Sequence, residues 1–126
     1  MYNIKKISVI LFIHFLFYPK AISSEKNITY MQILQKPNDL ELNIKYAQQQ
    51  GKMGNFKQTI STLERLNMVY PDNIEIKMYL LSVLVQADSP DKALIVIDEI
   101  KKSEDATEED LLTVADIEKE LEDSCL

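Results

Sequence analysis

The sequence predicts an all-α fold in which antiparallel helix pairs stack as a short α-solenoid and a C-terminal helix caps the stack. Three observations carry that expectation. The motifs Pro37-Asn38-Asp39 and Pro71-Asp72-Asn73 set their prolines 34 positions apart, and a fixed period of that size marks stacked helical units. Apolar residues between Leu40 and Leu121 recur at three- and four-residue steps, which lays them along one face of a helix. No stretch of useful length alternates with the two-residue period of a strand. A generic bundle in which a helical hairpin recurs by chance would use the same core positions; the gapless period favours the repeat.

The first segment reads as targeting rather than fold. Met1-Tyr2-Asn3-Ile4-Lys5-Lys6 is short and basic, and Ile7 to Phe17 is apolar apart from Ser8 and His14. That run has the length of a signal-peptide core and is short for a bilayer span. Ala21-Ile22-Ser23 then supplies the small residues that a cleavage position after Ser23 requires. Residues 1–23 are expected to be a signal peptide leading to a periplasmic or secreted location. Left uncleaved, the same segment would be a membrane anchor, the one membrane contact the sequence offers. In a eukaryotic host, Asn27-Ile28-Thr29 would be a glycosylation sequon.

Residues 24–37 are expected to hold a flanking helix, since Ile28, Met31 and Leu34 are spaced by three. Residues 38–107 hold two helix pairs. In the first, Asn38 and Glu41 have the spacing of a capping box, Leu40, Leu42, Tyr46 and Ala47 form the inner face, and Gly51-Lys52-Met53-Gly54 ends the helix. Asn55 and Gln58 open its partner, whose stripe is Phe56, Ile60, Leu63, Leu66 and Val69 before Pro71 stops it. In the second pair Asp72 and Glu75 form the cap, ahead of Ile76, Leu80, Leu81 and Leu84. Ser89-Pro90 starts the next helix with proline at its first position, and Ala93, Leu94, Ile97 and Ile100 are its packing face. The segment Leu94-Ile95-Val96-Ile97 is apolar nearly all round, so it is either covered by the next helix or left as an adhesive strip. Residues 108–126 form the capping helix and acidic tail: Thr107 and Asp110 cap it, Leu111, Val114, Ile117 and Leu121 face inward, and the opposite side is Glu and Asp.

The composition argues against catalysis. The single His, His14, lies in the leader and the single Cys, Cys125, is beside the carboxyl terminus. A mature chain without His lacks the commonest general base and metal ligand, which removes Ser-His and Cys-His pairs and zinc sites of ordinary spacing. No Gly-rich phosphate loop is present, because the only glycines are Gly51 and Gly54. No catalytic residue, metal site or cofactor is therefore expected. Cys125 has no intrachain partner and reads as a tail thiol or an interchain link. The net charge of −6 becomes about −9 once Lys5, Lys6 and Lys20 leave with residues 1–23, which repels phosphate backbones and argues against a nucleic-acid partner.

On Gly54, Phe56, Leu63 and Pro71 in the first unit and Ala93 in the second, residues 38–107 resemble the tetratricopeptide repeat family. Asn43 and Lys77 stand where that family favours Trp, Thr59 where it favours Ala, and Asp105 where it favours the closing proline. The resemblance implies a concave groove formed by the first helix of each unit. Carried over by position, the groove residues are Glu41, Ile44, Lys45, Gln48, Lys52, Glu75, Met78, Tyr79, Ser82 and Gln86. Met78 and Tyr79 would either grip a ligand or pack against the neighbouring unit. The clamp that some members use for chaperone carboxyl termini is absent, its positions being Ile44, Gln48, Tyr79, Glu109 and Thr113.

The implied function is an exported protein-interaction module, an adaptor or scaffold binding a partner polypeptide in that groove, with self-association through the second half as a further option. The alternative is an envelope assembly factor, such as a subunit of cytochrome maturation or outer-membrane assembly. A remote third is an enzyme working with carboxylates alone.

Overall fold

The computed structural model describes residues 26–124. The expected leader, its cleavage position after Ser23, His14 and Cys125 lie outside the described residues. Six helices follow one another: α1 (Tyr30–Gln35), α2 (Leu40–Lys52), α3 (Phe56–Val69), α4 (Ile74–Gln86), α5 (Pro90–Lys101) and α6 (Glu108–Ser124). There is no strand among the described residues. Each helix packs mainly on the helices before and after it in sequence, so the pairs α2–α3 and α4–α5 stack as an α-solenoid flanked by α1 and closed by α6.

A 34-residue register runs through the backbone. Helices α2, α4 and α6 start at Leu40, Ile74 and Glu108, each one period apart. The residue before each is its cap. Asp39 Oδ1 accepts the Leu42 amide at 3.0 Å and Asn73 Oδ1 accepts the Ile76 amide at 3.0 Å. At α6, Thr107 Oγ1 accepts the Asp110 amide at 3.1 Å while Asp110 Oδ2 accepts the Thr107 amide at 2.9 Å, a reciprocal capping box. The first two caps thus lie one residue later than the Asn38–Glu41 and Asp72–Glu75 pairs expected from sequence. Pro37-Asn38 and Pro71-Asp72 form the turn itself, which leaves the following residue to reach the orphan amides. A fourth cap was legible only as helix: Thr29 and Gln32 form a capping box at the start of α1.

The turns inside the units obey the same period. Gly54 has φ +78° and Asp88 has φ +53°. Both pass through the left-handed region, where glycine is unstrained and aspartate is among the few tolerated side chains.

The core follows a stripe on each helix except α4, which is buried on all sides from Ile76 to Val85. Thr59 and Ala93, one period apart, are fully buried where the paired helices approach. Thr59 fits because its hydroxyl is satisfied, donating to Ala47 O at 3.3 Å and to Asn55 O at 3.1 Å. Leu63 and Leu66 in α3 correspond to Ile97 and Ile100 in α5, and all four are buried. The apolar segment of α5 divides: Val96 and Ile97 are buried, whereas Leu94, expected on the packing face, and Ile95 are 38% and 61% exposed. Val69, expected in the α3 stripe, is likewise exposed, since it is the last residue of its helix.

At the two positions where a large aromatic was absent from the sequence, the helices use buried polar pairs. Asn43 Oδ1 accepts from Arg65 Nη2 at 2.5 Å, and Asn43 Nδ2 donates to Asp39 O at 2.7 Å and Lys36 O at 3.1 Å. Arg65 also donates to Pro37 O. One period later, Lys77 Nζ lies 3.0 Å from Glu99 Oε2 and 2.7 Å from Asn67 Oδ1. Positions 43 and 77 correspond, and so do 65 and 99.

Candidate functional site

The groove expected from sequence is built by α2 and α4, the first helices of the two units. Its ten residues separate by depth. Glu41, Lys52 and Glu75 are exposed, and Ile44, Lys45, Gln48 and Gln86 are half-buried. Met78, Tyr79 and Ser82 are buried. Of the two roles open to Met78 and Tyr79, the structure gives them the packing role; they belong to the core rather than to an open lining. Ser82 Oγ donates to Tyr79 O at 2.8 Å, within its own helix.

Gly51 of α2 stands beside Tyr79 of α4. A side-chain carbon added to Gly51 of α2 would lie 3.6 Å from Tyr79 Oη and 3.7 Å from Thr59 Oγ1. Both are ordinary contact distances, so the Tyr79 ring tip packs beside Gly51 with space left for a methyl group. Sequence alone could not show this neighbour, because Tyr79 belongs to the next unit.

Apart from half-buried Ile44, what stays accessible is polar. Lys45 Nζ is 3.0 Å from Glu41 Oε1 across one helical turn, a surface pair of small energetic weight. Gln49, beside Gln48, was not singled out in the sequence, yet its amide grips Ile28: Oε1 accepts the Ile28 amide and Nε2 donates to Ile28 O, both at 2.8 Å. That pair of hydrogen bonds holds the segment before α1 on α2. Nearby, the Tyr30 and Tyr46 rings are 6.5 Å apart at 40°. Burial first, and then the neighbouring Tyr30, push the Tyr46 phenol above its ordinary value.

No group of three or more Cys, His, Asp or Glu among the described residues is placed to hold a metal ion, and no described helix is long and apolar enough to cross a membrane. On α6, Lys101 of α5 binds Glu118 at 2.9 Å, and that hydrogen bond followed by the carboxylate charge raises the lysine above its ordinary value. No family model matches this chain, no curated protein is similar to it, and no solved structure matches it.

Proposed function

We propose that this protein is an exported protein-interaction module of the tetratricopeptide repeat type, with the α2–α4 side as its polypeptide-binding face. The observation that carries the reading is the 34-residue register, which recurs in caps, in left-handed turns and in the polar pairs at 43–65 and 77–99. Such stacks make extended surfaces in which neighbouring units present matching positions to one ligand. The accessible part of that face is Glu41, Ile44, Lys45, Gln48 and Lys52 from α2, continued by Glu75 and Gln86 from α4. Mixed charge and amide groups of this kind suit an extended peptide better than a small apolar molecule.

The test is site-specific photocrosslinking in cells that make the protein, with the reactive group at Gln48 and, as control, at exposed Lys57 on α3. A discrete polypeptide captured at Gln48 and absent at Lys57 supports the reading. Equal capture at both, or none at Gln48, overturns it. Export is tested separately by intact mass of the mature protein, where retention of residues 1–23 would refute the leader.

A further inference from the structure

We propose that the outer face of α6, centred on Leu111, Leu112 and Ala115, docks an amphipathic helix of another polypeptide that carries Lys or Arg beside its apolar stripe. This inference rests on the register rather than on the groove, and it concerns α6 rather than the α2–α4 face.

Helix α6 begins one period after α4 and two after α2, so it corresponds to the first helix of a pair. In α2 and α4 the side facing the second helix includes Asn43, Ala47 and Gln50, and Lys77, Leu81 and Leu84, all buried. The matching residues of α6 are Leu111, Ala115 and Glu118. There Val114, Ile117 and Leu121 are buried against the stack, but Leu111, expected to face inward with them, is 40% exposed and Ala115 is exposed. Leu112, which corresponds to buried Met78, is 63% exposed. Helix α6 itself runs on through Ser124, the register position at which α3 and α5 begin, so among the described residues no second helix lies against this side. A singly exposed leucine is ordinary. Leu111 and Ala115 lie on the side that twice elsewhere in the chain receives a helix, and Leu112, at the register position of Ile44 and Met78, widens the apolar strip beside them, so α6 is one half of a pair.

Charge selects the occupant. Helix α6 has eight acidic residues against one lysine, Lys119, and exposed Glu108 and Glu122 stand at the two ends of the apolar strip. A second copy presenting its own α6 would set these carboxylates against one another, whereas a helix with basic flanks would pair with them. The 43–65 and 77–99 pairs also give a rule for the facing position. Where Asn43 meets Arg65 and Lys77 meets Glu99, Leu111 calls for an apolar side chain.

The probe is a synthetic peptide of residues 89–103 with Asp91→Lys, Asp98→Lys and Glu99→Leu, which keeps the stripe that α5 lays on α4, adds basic flanks and puts an apolar residue opposite Leu111. Its binding to the full chain is followed by fluorescence anisotropy. Saturable binding is expected, weakened about tenfold by Leu111→Asn together with Leu112→Asn and unchanged by Ile95→Asn on the exposed side of α5. A control peptide with Glu at its lysine positions should bind worse at low salt. Because Leu111 and Leu112 are exposed, the double variant should retain its circular dichroism and melting temperature. No saturable binding, or equal loss with Ile95→Asn, overturns the proposal. Sedimentation showing a dimer of the chain alone that Leu111→Asn dissolves would overturn it in favour of a second copy.

Discussion

The two helix pairs share a backbone and differ in what they bury. In α2 only Asn43, Tyr46, Ala47 and Gln50 are buried, whereas in α4 every residue from Ile76 to Val85 is. Caps, turn conformations and crossing positions nevertheless coincide at 34 residues. A periodic framework therefore does not require periodic composition. Helix α4 lies between α3 and α5 and can be apolar nearly all round, while α2 stands nearer the end of the stack and keeps a polar side. The polar pairs follow the same logic. Asn43 and Arg65 bind the Lys36–Asp39 turn to α3, and Lys77, 6% exposed, ties α4 to both α3 and α5 through Asn67 and Glu99.

The largest effect should come from the shared crossing positions. Leu63→Ala and Ile97→Ala should each cost about 2–5 kcal/mol in chemical denaturation. A loss below about 0.5 kcal/mol at one and not the other would break the equivalence of the units. Next, Glu99→Ala should cost about 1–3 kcal/mol by leaving the buried Lys77 ammonium with Asn67 alone, whereas Lys77→Met should cost less because it removes the charge as well. The reverse order would mean that the ion pair, and not the packing of α4, holds the second unit. In the turns, Gly54→Ala should destabilise by about 1 kcal/mol and Asp88→Gly should be neutral or slightly stabilising, since both positions have positive φ. Smallest is the alkaline response. Tyr46 has its phenol raised by burial, so the folded state holds the proton more tightly than the unfolded state does. Its contribution is intact below the unfolded value near 10 and is lost as pH rises through the higher folded value. Tyr46→Phe should remove that part of the loss in a pH-dependent melt. The corresponding residue of the second unit, Leu80, has nothing to titrate.

Much of the fold was legible because the period is written in residues that do local work. Prolines 37 and 71 stop helices wherever they stand, Gly54 suits a left-handed turn, and Thr107 with Asp110 caps without help from the rest of the chain. The caps at 39 and 73 were misread by one position, since Asn38 and Asp72 have capping chemistry too and only the turn decides which residue faces the amides. The candidate groove was harder. Burial of Met78, Tyr79 and Ser82 depends on what covers α4 from every side, and the packing of the Tyr79 ring tip beside Gly51 spans two units. Neither property belongs to a helical wheel. Lys77 shows the same limit, because a lysine at a core position reads as surface until Asn67 and Glu99, ten and 22 residues away, are brought to it.

The packing of each helix mainly on its sequence neighbours also determines how the chain reaches this state. Contacts between adjacent helices close short loops, so contact order is low and the entropic barrier to folding is small. A helix pair of about one period can nucleate and recruit the next by adding a single interface, in the manner of a one-dimensional lattice. Opening should run the other way, from α1 and α6 toward α4, which would emerge as the slowest-exchanging segment in native-state hydrogen exchange.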